Sequence, residues 1–292
     1  MEYELTVQVK DNPLLRRSFM DLARQVFGLS FDKWYQGGYW TGRYIPYVLA
    51  DAGRVVANVS VNVMDMRCQG KARRFVQLGT VMTAPELRGR ALARRLMERV
   101  MRDWSGACDG MYLFANHTVL DFYPRFGFER RYEHRFFTVP GAEGPAFERL
   151  DMGRAEHRAI LGRCYGKSNR FSALAMEDNW GLIMFYLTDF LKDCVYYSPA
   201  LDTVCVWGEN EGAPTCYDLF GEAPLPLERI LAGLPGAAGR RVALGFTPLA
   251  REGLRVQAER AQDEDDALFV LGGAKELFEG GRRAMFPALS HA

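Results

Sequence analysis

The sequence predicts an α/β fold in which helices cover both faces of a mixed sheet. Within residues 3–140 the strand and helix patterns follow the order strand, helix, strands, helix, strand, helix, strand. One apolar strand in this series runs through a tight basic turn, residues 88–91, straight into a helix. Residues 141–292 again mix helix and strand patterns, so a second α/β domain is expected.

Composition limits the classes of protein that the chain can belong to. The 292 residues are 48% hydrophobic and 25% charged, which is enough apolar material for one large domain or two modest ones. A net charge of +1 gives no bulk attraction to nucleic acid or to a membrane surface. No apolar run is long enough to span a bilayer, and residues 1–4 lack a signal-peptide pattern, so a cytoplasmic location is expected.

Cysteine usage argues against a metal centre. The six cysteines form no CxxC pair, and the four histidines do not cluster with them. We therefore expect no zinc site, no other metal and no disulfide scaffold, and we interpret the cysteines as free thiols.

The elements of the first half follow from periodicity and turn residues. Residues 3–9 alternate as a strand, and Asp11-Asn12-Pro13 can start a helix that runs to Val26. Residues 47–51 and 54–66 predict a hairpin around Asp51-Ala52-Gly53. Residues 75–82 predict a strand with a bulge near Gly79. The remaining predictions are a helix over 87–104, a strand over 110–115, a short helix over 118–125 and a strand from 127 toward 139.

The second half of the chain contains fewer sequence patterns that predict secondary structure. Its patterns predict helices over 155–164, 180–191 and 227–234, and strands over 195–207, 215–220, 242–246 and 268–271. A segment rich in glycine and proline, residues 140–145, predicts the boundary between a domain 1–140 and a domain 141–292.

Many aromatic side chains occur in residues 31–47, a segment interrupted by Gly37-Gly38. Some of these rings fit a core. So many amphipathic rings beside a glycine pair also suit one wall of a binding pocket, and an apolar or cationic amine could lie against their faces.

The basic turn has the properties of a phosphate site. The backbone N–H groups of the first helical turn have no partners within the helix and lie at the positive end of its dipole. The small residues Gly89, Ala91 and Ala93 allow a pyrophosphate close to the backbone, and Arg88 and Arg90 add positive charge.

The run Arg88-Gly89-Arg90-Ala91-Leu92-Ala93 resembles the coenzyme A signature of the GNAT N-acetyltransferases, Q/R-x-x-G-x-G/A. Ala91 stands where that family usually has glycine. The resemblance covers residues 3–140, and the second half is similar to the degenerate half of tandem GNAT enzymes. It implies a GNAT acyl-CoA-binding fold followed by a GNAT-like α/β domain, with acetyl-CoA as cosubstrate.

The same resemblance implies roles for individual residues. Backbone groups of Val81, Met82 and Thr83 would pair with the pantetheine arm, and one N–H would polarise the thioester oxygen. The phosphates would contact the turn and the start of the helix, which are Arg88, Gly89, Arg90, Ala91, Leu92, Ala93 and Arg94.

A second motif supplies the proton donor. The segment Phe122-Tyr123-Pro124-Arg125-Phe126-Gly127-Phe128 resembles the family element F-Y-x-x-x-G-F, which implies that Tyr123 is the general acid toward the coenzyme A thiolate. Asn116 lies seven positions earlier, where the family often carries an asparagine that contacts the cofactor arm. No general base is assigned, since His117, Glu86, Asp65 and Asp121 also fit solvated or capping roles.

The resemblance predicts direct attack of an acceptor amine on the thioester, without a cysteine nucleophile. The acceptor is left open as a small-molecule or peptide amine, and a homodimer is compatible with the family. The alternative is a non-catalytic acyl-CoA-binding or sensor protein. The absence of a glycine-rich P-loop with Lys-Ser/Thr argues against another kind of nucleotide-binding module.

Overall fold

The computed structural model describes residues 3–210, 212–250, 255–261 and 266–291, which form two mixed β-sheets with helices between and around them. The strands are β1 (Glu4–Val7), β2 (Tyr44–Asp51), β3 (Arg54–Cys68), β4 (Lys71–Thr83), β5 (Gly110–Ala115), β6 (Glu129–Arg130), β7 (His134–Thr138), β8 (Glu148–Arg149), β9 (Leu174–Glu177), β10 (Val195–Ser198), β11 (Thr203–Asn210), β12 (Ala213–Gly221), β13 (Val242–Leu244), β14 (Gln257–Arg260) and β15 (Ala267–Gly272). The helices are α1 (Pro13–Phe27), α2 (Asp32–Gln36), α3 (Leu92–Trp104), α4 (Ala155–Tyr165), α5 (Trp180–Phe185) and α6 (Leu227–Leu231).

The mixed α/β class that the sequence predicts is confirmed. The first sheet has the order β1-β2-β3-β4-β5-β15-β6, with β9 on the far part of β3, and the second has the order β14-β7-β13-β12-β11-β10-β8. The predicted helix after Asn12 is α1, and the Asn12 side chain accepts hydrogen bonds from the backbone N–H groups of Leu14 and Leu15. The predicted hairpin joins β2 to β3 through Ala52 and Gly53, both with positive φ.

The two sheets exchange strands between the halves of the chain. β7 precedes residue 140 but pairs with β13 and β14 in the second sheet. β15, close to the end of the chain, lies between β5 and β6 in the first sheet. A division of the chain at residue 140 therefore does not separate the sheets. The sequence missed this exchange because strand pairing between distant segments leaves no local pattern.

Several predicted elements have different bounds in the structure. The helix predicted over 87–104 starts only at Leu92, because Gly89 and Ala91 adopt positive φ and interrupt it. The stretch 195–207 divides into β10 and β11 around a 3₁₀ turn at Pro199–Leu201. The predicted helix over 180–191 is α5 followed by a π-helical turn, Tyr186–Phe190. The short helix over 118–125 is two 3₁₀ turns, His117–Val119 and Tyr123–Phe126.

The aromatic segment 31–47 is mainly core rather than pocket wall. Phe31, Trp34, Trp40 and Tyr44 are all buried, and their rings lie together with Phe19 of α1. The prediction that these four rings line a binding pocket is therefore wrong. Apolar neighbours that arrive from distant parts of the chain, not the local glycines, determine where the rings lie.

Residues from the two halves of the chain contact each other in a shared core. Tyr112 of β5 stacks on Phe286 with ring centroids 3.7 Å apart, and its hydroxyl donates to the backbone carbonyl of Ser290. The indole N–H of Trp34 donates to the carbonyl of Gly181 in α5. None of the described helices has the length and apolar character needed to cross a membrane.

Candidate active site

Two parallel strands separate at the centre of the first sheet. β4 pairs with β5 from Phe75 opposite Gly110 to Leu78 opposite Leu113, and the pairing stops there although both strands continue. A cavity of about 700 Å³ opens between the separated ends, and we call it the cleft. Its walls contain the ends of both strands, with the predicted residues Val81, Met82, Thr83 and Asn116 among its lining. Backbone groups on the two separated edges are therefore available to a ligand.

A bulge displaces the wall of the cleft that β4 forms. The pairing with β3 joins Ser60 to Gly79 and Asn58 to Met82, so Thr80 and Val81 fall outside the ladder. Thr80 has a φ of 43°, which is unusual for a side-chain-bearing residue. The sequence predicts a bulge at this point, and the structure confirms it one residue after Gly79.

Buried polar groups hold the bulge in place. The Asn58 side-chain amide donates to the carbonyl of Thr80 at 2.7 Å and to the Ser60 hydroxyl at 2.9 Å. The Tyr44 hydroxyl lies 2.8 Å from the Thr80 hydroxyl and accepts from Ser60. Burial raises the pKa of Tyr44 to about 12, so it stays neutral in this network. The conformation of residues 80–81 is therefore fixed before any ligand arrives.

The basic turn forms a second cavity beside the cleft. This corner cavity has a volume of about 580 Å³, and its lining includes the seven predicted phosphate residues 88–94. Thr83, Arg88 and Ala93 line both cavities, so the corner opens into the cleft. No side chain caps the start of α3, whose first N–H groups are therefore left for a ligand. Arg88 and Arg90 are exposed there, while Arg94 forms an ion pair with Glu98.

Ala91 occupies the last position before α3 in a left-handed conformation, with a φ of 57°. A non-glycine residue there costs about 1 kcal/mol, and its methyl group lies in the corner cavity. We expect Ala91→Gly to tighten coenzyme A binding a few-fold, since it removes the methyl group from the cavity, whereas relief of the backbone cost acts on folding. The folding free energy should change little, because glycine also gains about 0.5–1 kcal/mol of unfolded-state entropy.

Calorimetric titration with coenzyme A measures this change. Ala91→Val is the matched control, because a β-branched side chain is disfavoured at positive φ and should weaken binding. Weaker binding by the glycine variant would contradict the expectation.

Tyr123 directly follows Phe122, which lines both the cleft and the corner cavity. It is 5% exposed and lines the cleft, and its ring contacts Phe122, Phe128 and Phe269. Phe269 belongs to β15, so the second half of the chain helps to position this tyrosine. Burial alone raises the pKa of Tyr123 to about 12, and the phenol therefore keeps its proton at any working pH.

The other predicted polar residues divide between cleft and surface. Asn116 is exposed, lines the cleft, and accepts hydrogen bonds from the backbone and the hydroxyl of Thr118. His117 is exposed and lies outside the lining of both cavities. Glu86 pairs with Arg54, and Asp65 pairs with Arg43 and Arg74. These two carboxylates therefore have structural partners.

Sequence reasoning missed one whole end of the cleft. Its lining includes Phe27 at the end of α1, Phe185 at the end of α5, and Tyr186 and Phe190 from the π-helical turn. Asp266 and His291, which lie far along the chain, complete it. His291 stacks on Phe114 with centroids 3.8 Å apart, and burial lowers its pKa to about 4. No local motif marks these residues, because three distant segments contribute them. Within the described ranges, no cluster of three or more His, Cys, Asp or Glu could hold a metal.

Comparison with solved structures supports the fold along nearly the whole chain. A conserved protein from Enterococcus faecalis V583, described as a probable N-acyltransferase, has 13% identity and a TM-score of 0.61, with 96% of this chain and 75% of that chain covered. A GCN5-related N-acetyltransferase from Kribbella flavida has 20% identity and a TM-score of 0.56, with 93% and 72% covered. Eis1 from Mycobacterium abscessus has 17% identity and a TM-score of 0.56, with 91% and 73% covered.

Sequence comparison finds one family match, which lies in the first half of the chain. No curated protein matches this chain significantly in sequence. Residues 13–131 match the family model of the acetyltransferase (GNAT) domain. This range contains the separated strands, the corner before α3 and Tyr123. Residues 13–131 are therefore similar to the GNAT acetyltransferase domain, and the likeness of the whole chain to the solved structures is one of fold.

Proposed function

We propose that the protein is an acetyl-CoA-dependent N-acetyltransferase in which an acceptor amine attacks the thioester directly. The observation that carries the proposal is the continuity of the corner cavity with the cleft, whose lining includes Tyr123. The corner suits a pyrophosphate because exposed arginines and uncapped N–H groups meet there. Residues 80–83 then offer strand backbone along the path from the corner toward Tyr123.

The bulge suits polarisation of the thioester carbonyl. Thr80 and Val81 lie outside the regular β3–β4 register, so the backbone of β4 is displaced at these two residues. The hydrogen bonds from Asn58 and Tyr44 hold this segment rigid. An N–H group fixed in advance near a developing oxyanion stabilises it without reorganisation, an effect worth about 3–4 kcal/mol in other acyl transfers. We assign this role to the backbone of Val81, with Met82 and Thr83 along the pantetheine arm.

Tyr123 is proposed to act on the leaving sulfur. When the amine nitrogen attacks, the C–S bond breaks and the thiolate must gain a proton while the nitrogen loses one. A phenol with a pKa of about 12 cannot ionise fully against a thiol near 8.5 without about 5 kcal/mol. Tyr123 therefore donates its proton to the sulfur as the C–S bond breaks. The proton that the attacking nitrogen loses then returns to the phenolate oxygen of Tyr123. Asn116 is proposed to contact the cofactor arm.

Two measurements test this function. Calorimetric titration with acetyl-CoA should give micromolar binding, and incubation with acetyl-CoA and a panel of amines should release free thiol. Binding together with amine-dependent thiol release supports the enzyme. Binding without turnover by any amine favours a non-catalytic acyl-CoA sensor, and no binding removes both functions.

A further inference from the structure

Two phenylalanines at the mouth of the cleft are unusually exposed. Phe27 is 44% exposed at the end of α1, and Phe190 is 56% exposed at the end of the π-helical segment. Both line the same cavity. Large apolar side chains grouped at a cavity mouth lose unfavourable contact with water when an apolar ligand covers them.

The apolar mouth is supported from behind. Phe185 stacks on the buried ring of Phe31 with centroids 5.6 Å apart, and Phe190 lies against Phe185 at 5.4 Å. The hydrogen bond from the Trp34 indole to Gly181 fixes α5 against the core of the first half. The ring of Phe190 is therefore supported by a packed base, which favours binding of a body of defined shape.

The lining of the cleft also contains polar side chains. Asp266, which directly precedes β15, lines the cleft together with His291 and Tyr186. The Tyr186 hydroxyl donates to the carbonyl of His291, so this group is ordered. The exposed carboxylate of Asp266 adds negative charge to this lining, which attracts an ammonium group, and the neutral imidazole of His291 adds no positive charge.

We propose that the acceptor is a primary amine on an apolar body about the size of an aromatic ring. The body lies against Phe27 and Phe190, and the amine points past Asp266 toward the point where β4 and β5 separate. This inference rests on the proposed function and names the substrate class of the same site.

The test compares primary amines that differ only in whether they carry an aromatic ring. With acetyl-CoA, we expect kcat/KM for 2-phenylethylamine to exceed that for ethylamine by about tenfold or more, because the ring is removed from water. Spermidine and kanamycin complete the panel as polycationic acceptors. Phe27→Ser and Phe190→Ser should each lower the ratio of kcat/KM for 2-phenylethylamine to that for ethylamine by about fivefold.

The control variant is Leu14→Ser. Leu14 is 64% exposed, also apolar, and outside the cleft lining, so this change should leave the ratio unaltered. A preference for spermidine or kanamycin, or an unaltered ratio in both phenylalanine variants, would overturn the inference. Neither result would contradict the proposed acetyltransferase function. Altered sedimentation of these variants with an unaltered ratio would instead assign the rings to an interface between copies. Thiol release with no amine at all would remove the proposed function and the inference with it.

Discussion

Replacing Tyr123 by phenylalanine is expected to lower kcat for acetyl transfer by about 10²–10³-fold, the usual worth of a positioned proton donor. The dissociation constant for acetyl-CoA should stay within about twofold, because the ring that lines the cleft is retained. The fold should also be unaffected, since burial rather than hydrogen bonding dominates the environment of this phenol. Steady-state thiol release, calorimetry and thermal melting measure the three quantities.

The matched control is Tyr132→Phe, which removes a phenol that is 43% exposed and outside the cleft lining. It should leave kcat unchanged. An equal and small effect of both substitutions would contradict a proton-donating role for Tyr123.

The pH dependence of the wild type gives an independent check on the same residue. A general acid works while it is protonated, so its activity is lost as the pH rises through its pKa. Because burial raises the pKa of Tyr123 from 10 to about 12, kcat should show no decline from this group up to about pH 10.5. An ordinary tyrosine would already be more than half ionised at that pH. A decline centred near pH 10 would therefore place the phenol in a solvated environment.

The double substitution Arg88→Glu, Arg90→Glu is expected to weaken coenzyme A binding by about 100-fold or more. Each change replaces an attraction to phosphate by a repulsion of similar size, about 1 kcal/mol each way for exposed charges at 4 Å. Both side chains are exposed at the mouth of the corner cavity, so the protein should still fold. Calorimetric titration with coenzyme A at low salt measures the loss.

Arg95→Glu, Arg102→Glu is the charge-matched control on the same helix. Both of these arginines are exposed, and neither lines the corner cavity. The wild-type affinity should also fall as salt is added, since exposed charges are screened beyond about 10 Å at 0.1 M salt. Equal losses in the two double variants would point to net charge rather than to the corner as the source of affinity.

The parts of the site that local sequence predicts are those formed by consecutive residues. Residues 88–94 line one cavity because a turn followed directly by a helix needs no other part of the chain. The bulge near Gly79 and the placement of Tyr123 in the cleft were also predictable from short motifs. Their catalytic roles stay predictions, because geometry alone does not measure them.

The parts that sequence did not predict depend on contacts between distant segments. The aromatic residues within 31–47 suggested one wall of a binding pocket. Phe19 and Phe185, which are distant in sequence, instead complete a core around several of these rings. The actual aromatic end of the cleft comes from Phe27 and Phe190, which are more than 160 positions apart and share no motif. The hydrogen bonds of Asn58 and Tyr44 to residue 80 likewise join three strands.

The position of β15 determines when the cleft can be completed during synthesis of the chain. The strand beside β5, and with it the ring of Phe269 against Tyr123, comes from residues 267–272 of 292. A chain emerging from the ribosome presents residues 88–94 early, but the cleft stays incomplete until residues 267–272 have also been added. A translation product that stops before β15 would therefore carry the motif of residues 88–94 without the strand that supports Tyr123.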